Sequence, residues 1–348
     1  MMDALVLKAY RRLEMAEVPV PVPGPDEVLV AVQACAICGS DVHGYDGSTG
    51  RRVPPLIMGH EAAGIVAEVG ARVSGLAPGD RVTFDSTVYC GRCPPCRRGR
   101  INLCDDRRVL GVSCAEYRRD GAFAKYVAVP QRVVYRLPPG LSFEHAAMVE
   151  PLAIAFHAVG RAPLRLGDTA VVVGAGVIGL LIVQALRLAG CGRVVAADID
   201  PGRLELARRL GADETVHVAA GRAETPVRQA VGGDGADIAF DAVGRGDTLR
   251  TALGSLRKGG TLSAVGNLDA DVPFPLQQAV TRELTVAGSC ASCGEYPACI
   301  DALAAGRVDV ASLISAVAPL EEGPAWFERL YHREPGLIKV VLRPGEST

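Results

Sequence analysis

The run Ala170-Val171-Val172-Val173 passes without a break into Gly174-Ala175-Gly176-Val177-Ile178-Gly179, and this stretch restricts the fold most. A continuous apolar run with no polar alternation suits a strand buried on both faces, as in a parallel sheet. A parallel neighbour needs a crossover, and the apolar stretch Leu180–Leu188 supplies a helix for it. Arg193-Val194-Val195-Ala196-Ala197-Asp198 reads as the next strand, ending on an acid nineteen residues past Gly179. Strand, G-x-G-x-x-G turn, helix, strand and terminal acid stand in the order a dinucleotide-binding unit requires. Gly174, Gly176 and Gly179, with Val177 and Ile178 between them, bring backbone and a helix N-terminus against a pyrophosphate. Asp198 accepts hydrogen bonds from ribose hydroxyls and repels a 2′-phosphate. The next residues, Ile199-Asp200-Pro201-Gly202, hold no cation to neutralise one, so NAD is expected over NADP. Arg203 is placed either over the adenine or as ordinary surface charge.

The same alternation continues downstream. Helical texture is expected at Leu204–Leu210 and Thr248–Leu256, a strand and turn at Ala236–Gly244, and strands at Gly260–Gly266 and Glu283–Gly288. Val243 and Val265, at the ends of two of these strands, are expected beside the cofactor. The N-terminal part differs. Ala4–Leu7, Glu27–Val32, Gly64–Val69, Arg81–Phe84 and a return through Gly121–Val129 are short strands between Pro/Gly turns, the pattern of a β-rich domain. Ser142 is set to cap a helix, and a further helix is expected at Tyr296–Ala305. The final strand, Leu337–Leu342, is expected to rejoin the first domain. The fold class is therefore α/β, with a β-rich domain over 1–155, a Rossmann-type doubly wound parallel sheet over 156–289, and a return over 290–348.

Eleven cysteines in a chain of 348 residues point to metal or catalysis rather than disulfides. Cys90, Cys93, Cys96 and Cys104 crowd into fifteen residues, enough for a closed structural Zn²⁺ site in a lobe spanning about 88–106. Arg92, Arg97, Arg98 and Arg100 offset its anionic charge. Further upstream, Cys38-Gly39-Ser40-Asp41-Val42-His43 and Gly59-His60-Glu61, together with Glu150-Pro151-Leu152, offer a different set. Cys38, His60, Glu61 and Glu150 combine one thiolate, one imidazole and two carboxylates, and a loosely held Glu150 leaves the open position a catalytic zinc needs. Cys35 and Cys38 also form a C-x-x-C, but no thioredoxin-like unit surrounds them. His145, His157, His217 and His332 carry no motif. Arg51 and Arg52 follow a Gly/Ser/Thr loop and read mainly as solvated charge, with contact to a polar substrate as the alternative.

Net charge is −2 with no long basic run, which speaks against a nucleic-acid partner. No apolar window reaches membrane-spanning length, and the first residues lack a signal-peptide pattern, so a cytoplasmic location is expected.

Taken together, the Cys38–His43, Gly59–Glu61, four-cysteine, Glu150–Leu152 and Gly174–Gly179 motifs resemble the zinc-dependent medium-chain dehydrogenases. The nearest branch contains the sorbitol, butanediol and threonine dehydrogenases, and the resemblance covers the whole chain. It implies a GroES-like catalytic domain around a nucleotide-binding domain, with the active site in the cleft between them. It implies two zinc ions per subunit: Cys38, His60 and Glu61 as ligands of one, with Glu150 binding directly or through water, and the four clustered cysteines holding the other. Asp41 matches the carboxylate that orients the histidine ligand, Ser40 the hydroxyl that bonds the substrate oxygen, and His43 a proton relay. The implied reaction is reversible oxidation of a secondary alcohol to a ketone, with the proton leaving through Ser40 and His43 and hydride passing to NAD. The substrate is a small polyol, cyclitol or sugar-like alcohol, with amino-alcohol or butanediol chemistry as alternatives. Sorbitol-type members carry an aromatic–Arg–aromatic stretch where this chain has Ser289-Cys290-Ala291-Ser292-Cys293-Gly294, which weakens sorbitol itself. A zinc-free reductase and a non-catalytic NAD(H)-binding protein are the readings of other classes. A homo-oligomer, dimer or tetramer, is expected, paired through edge strands of the nucleotide domain near Pro273-Phe274-Pro275.

Overall fold

The computed structural model describes residues 1–114, 117–218 and 224–345. The chain divides into two units, one of residues 1–150, 296–306 and 310–348, the other of 151–295 and 307–309.

The first unit is built on a seven-stranded sheet centred on the strand Glu27–Ala36. Glu61–Val69 pairs with it antiparallel on one side, and Tyr126–Pro130 and Lys339–Arg343 pair on the other. The chain's last strand thus does return to the N-terminal sheet. Val28, Val30 and Val32 point into one core with Val66, Val82, Phe84, Phe123 and Phe327, as period-two alternation requires. A smaller sheet pairs Met2–Ala9 with Arg12–Val18 and Leu56–Ile57. Ser142 caps the helix Phe143–Ala147 by accepting from the His145 amide at 3.2 Å. The strand Ile314–Pro319, parallel to Lys339–Arg343, was not foreseen; its alternating half-exposed pattern and the proline at its end hide it.

The second unit holds six parallel strands. Across the sheet they run Glu214–His217, Arg193–Asp198, Thr169–Val173, Ala236–Asp241, Leu256–Ala264 and Thr285–Gly288, the doubly wound order 3-2-1-4-5-6. Val171, Val172 and Val173 are buried in the middle of it, which is why that segment carries no polar alternation. The edge strand Glu214–His217 and the helices Glu224–Val231 and Leu276–Thr281 gave no clear sequence signal, being short and largely polar or exposed. No helix among the described residues is long and apolar enough to cross a membrane.

Candidate functional site

Two adjacent strand ends assemble three of the metal-ligand candidates of the first unit. Ala36 lies opposite Glu61 in the antiparallel pair, so Cys38, two residues on, meets His60, one residue back. Ligand atoms of Cys38, His60 and Glu61 all lie within 4.8 Å of one another. Tetrahedral zinc with these donors needs separations of about 3.3–3.8 Å, so the three suit one ion after small rotations. Cys38 is also the N-cap of the helix Gly39–Gly44, its sulfur accepting from the Ser40 amide at 3.4 Å and the Ser40 hydroxyl at 3.3 Å. Glu150 does not join the three within that distance. Its Oε1 accepts from Ser86 Oγ at 3.4 Å, its Oε2 is buried with no partner, and burial pushes the carboxyl up to about 8. A buried, unpartnered carboxylate oxygen beside this set is the mark of a site built for a cation.

Asp41 Oδ2 lies 3.4 Å from His60 Nδ1, and neither atom has a hydrogen-bond partner. That places the carboxylate behind the imidazole, where it can fix the tautomer and turn Nε2 toward the ligand set. Burial alone would raise the Asp41 carboxyl; His60 and Arg52 outweigh it and hold the group below the usual carboxylate range.

Two buried cations complete the site, and neither was read from the sequence. The expectation of solvated charge fails for Arg52, which is 3% exposed. Its Nε and Nη2 donate to Asp41 Oδ1 at 3.0 and 2.8 Å, and Nη2 also donates to Ser40 Oγ at 3.1 Å. Arg51, by contrast, is exposed. Lys339 is 2% exposed and donates to both Glu61 oxygens, at 2.9 and 2.6 Å, and to the Ile37 carbonyl at 3.1 Å. A lone lysine in the apolar strand Lys339-Val340-Val341-Leu342 was the available signal, because an ammonium there needs an internal partner. His43 is exposed, its ring near Arg333 and Asp46, and among the described residues no hydrogen bond joins it to Ser40.

In the four-cysteine lobe, Cys90, Cys93, Cys96 and Cys104 form a second group whose sulfurs lie within 4.8 Å of one another. Cys93 and Cys104 are 3.8 Å apart, close to the sulfur–sulfur edge of a zinc tetrathiolate, about 3.8 Å for 2.3 Å bonds. The amides of Arg92 and Cys93 both point at Cys90 Sγ from 3.4 Å and bring that thiol down to about 6. Such amides favour the thiolate that a metal needs. Arg92, Arg97, Arg98 and Arg100 lie exposed around this lobe.

In the second unit, Gly174 has φ +95° and an added Cβ would strike Val243. A Cβ on Gly179 would collide with the Gly174 carbonyl, so helix and turn pack backbone to backbone. Gly176 is different: nothing lies within 4 Å of its virtual Cβ, and its φ is −73°. Neither packing nor conformation requires glycine there, so the space it leaves suits a close-approaching phosphate. Val177 and Ile178 open the helix Val177–Leu188 that supplies the free N–H groups. Asp198 ends the second strand, accepting from the Ala175 and Asp200 amides at 2.5 and 2.9 Å. Val243 and Val265 lie just past the carboxyl ends of the strands Ala236–Asp241 and Leu256–Ala264. Arg203 is half-exposed, 3.7 Å from Asp200 Oδ2.

A ligand set for one catalytic metal, a closed thiolate cluster and a dinucleotide turn on a doubly wound sheet define a metal-dependent dehydrogenase. Residues 24–139 match the alcohol dehydrogenase GroES-like domain, and residues 177–305 match the zinc-binding dehydrogenase family. Sorbitol dehydrogenase of Bacillus subtilis (strain 168) is 35% identical over 347 residues, covering 99% of this chain and 97% of that one. D-xylulose reductase A of Aspergillus niger is 35% identical over 336 residues, 94% of this chain and 93% of that one. A Sinorhizobium meliloti 1021 protein described as a zinc-binding dehydrogenase, solved with NADP bound, superposes with TM-score 0.89 at 35% identity over 99% of both chains. The chain belongs to the zinc-binding medium-chain dehydrogenases and is an oxidoreductase.

Proposed function

We propose that this chain oxidises a secondary alcohol of a polyol, cyclitol or sugar-like molecule to a ketone, reversibly, with zinc and NAD. The observation that carries the reading is the convergence of Cys38, His60 and Glu61 within 4.8 Å, in a chain that also carries the Gly174–Gly179 turn. The names of the similar proteins, a sorbitol dehydrogenase and a xylulose reductase, support polyhydroxylated substrates. Butanediol-type or amino-alcohol oxidation is the second reading.

Cys38, His60 and Glu61 would hold the catalytic zinc, with Glu150 as a further ligand, directly or through water. Cys90, Cys93, Cys96 and Cys104 would hold the structural one. When bound, zinc supplies the Lewis acidity that makes an alcohol proton removable near neutral pH, and the dinucleotide takes the hydride. The residues do the rest. Asp41 orients His60. Ser40, whose hydroxyl is exposed beside Cys38, takes the alcohol proton at Oγ as it releases its own hydroxyl proton, and His43 is the group to pass that released proton to solvent. Asp198 favours NAD by repelling a 2′-phosphate, in contrast to the NADP carried by the Sinorhizobium meliloti protein. The experiment is hydride transfer by the zinc-loaded chain to NAD and NADP with polyols, inositols, amino sugars, butanediol and threonine. Reduction of NAD by a polyol or inositol is expected. Equal use of NADP would overturn the role of Asp198, and no transfer with any alcohol would leave only a dinucleotide-binding protein.

Among the described residues the edge strand Thr285–Gly288 has one neighbour, and Val286 on it is exposed together with nearby Phe274, Leu276 and Val280. An open edge beside apolar surface is suited to pairing with the same strand of a second copy. A dimer or tetramer is therefore expected, and a monomeric mass by light scattering at micromolar concentration would exclude it. None of the eleven cysteines is in a disulfide, in keeping with a reducing, cytoplasmic location, which fluorescent tagging in cells would test.

A further inference from the structure

We propose that Arg52 is a positioning residue of the proton-transfer site: it aims the Ser40 hydroxyl at the metal-ligand set and braces His60 through Asp41. The proposal rests on the reading of Ser40 and Cys38 given above and adds the group that controls both.

The geometry is specific. One guanidinium nitrogen, Nη2, donates at once to Asp41 Oδ1 at 2.8 Å and to Ser40 Oγ at 3.1 Å. Nε donates to the same Asp41 oxygen at 3.0 Å, which leaves Asp41 Oδ2 facing His60 Nδ1 at 3.4 Å. Nη1 donates to the Arg51 carbonyl at 3.1 Å and ties the fork to its own loop. Arg52 is therefore bonded to the neighbours of two ligand candidates at once: Ser40, which bonds Cys38 Sγ at 3.3 Å, and Asp41 behind His60.

Chemistry fixes the direction of the Ser40 bond. A guanidinium has donors only and keeps its proton, so Arg52 must occupy a lone pair of Ser40 Oγ. One lone pair and one O–H remain. The O–H points to Cys38 Sγ, and so toward the ligand set, while the other lone pair stays free for an alcohol proton, whose uptake requires the O–H to turn from Cys38 and release its own proton. Arg52 also closes one exit: a proton received by Ser40 cannot leave through a group that accepts none, so any onward path runs away from Arg52. A charged donor strengthens the donor power of the hydroxyl it binds.

The fold reserves room for this arrangement. A Cβ on Gly44 would overlap Arg52 Cγ and crowd its Cβ. Gly44 is not at positive φ, so its lack of a side chain answers to the arginine stem rather than to the backbone. An isolated bridge between Arg52 and Ser113 fixes the backbone from which the stem springs.

Two variants test the idea with the charge of Arg52 kept. In R52K the ammonium remains near Asp41 but ends a bond short of Ser40. In G44A no polar group changes and the arginine stem is displaced. Both are expected to fold, to hold two zinc ions when prepared with zinc, and to lower kcat by about 10- to 100-fold with alcohol KM within twofold. In a Ser40→Ala background, R52K is expected to add less than a twofold further loss, because its action on kcat runs through that hydroxyl. Independently of turnover, release of catalytic zinc to a chelator is expected to be about 10-fold faster or more in both variants, since outer contacts of a ligand histidine set metal retention. Additive losses of R52K and Ser40→Ala, a rise in KM at constant kcat, or unchanged zinc release would overturn the proposal. If Ser40→Ala alone keeps full kcat, the role of Ser40 fails instead, while zinc release still judges the brace on His60.

Discussion

Replacing Cys38 by serine is expected to leave a folded chain that holds one zinc instead of two and has lost more than about 100-fold in kcat/KM. The bound on activity comes from the lesser lesion: removing an outer partner of a metal ligand costs about 10- to 100-fold, and losing the ligand itself costs more. A serine hydroxyl stays protonated near neutral pH and is a poor donor to a borderline-soft ion, so the site loses the anion that complements zinc best. Folding is expected to survive for a local reason. Cys38 caps the helix Gly39–Gly44 by accepting the Ser40 amide, and serine is among the best residues for that role. The four-cysteine lobe shares no ligand with this site, so its ion is expected to remain. Metal content by mass spectrometry together with alcohol turnover checks the result. Full turnover with one zinc per chain would remove the catalytic metal from the mechanism.

The features read from sequence and those missed differ in how far apart their partners lie. The Gly174 turn and the four-cysteine cluster are written in short spacings, 174–179 and 90–104, and covalent connection alone brings their members together. The apolar run Ala170–Val173 is likewise legible because burial on both faces acts on every residue of the strand. Lys339 and Glu61 are 278 positions apart, and only the pairing of Val341 with Ala36, itself opposite Glu61, makes them neighbours. Arg52 is 11 positions from Asp41, yet composition around it, Gly47-Ser48-Thr49-Gly50, is that of a solvated loop. What separates it from such a loop is Gly44, whose significance lies in a void that becomes visible only when the stem of Arg52 fills it. Buried charges are hard to read because the residue type predicts exposure, and the partner that reverses that expectation is set by tertiary structure.

Lys339→Met is expected to destabilise the metal-free chain by about 3–5 kcal/mol, and zinc is expected to restore most of the loss. Lys339 and Glu61 side chains are 3% and 1% exposed, and all three ammonium donors are engaged. Methionine fills similar volume but leaves the Glu61 carboxylate in a dry interior without a counter-charge, and breaking a buried pair in this way costs about that much. Removing both charges, as Lys339→Met with Glu61→Gln, is expected to recover most of the stability, because the cost lies in the unpaired ion rather than in the lost attraction. A divalent ion bound by Cys38, His60 and Glu61 supplies positive charge beside the same carboxylate. Zinc is therefore expected to raise the stability of the single variant more than that of the unaltered chain, by linkage between binding and folding. Trp326, the only tryptophan, belongs to the unit that carries the pair, so its fluorescence in a urea titration reports the right transition. A metal-free single variant as stable as the parent, or a double variant no better than the single, would show that Lys339 does not neutralise Glu61. Success would make the lysine a stand-in for the metal, holding together a site whose anions would otherwise repel one another until zinc arrives.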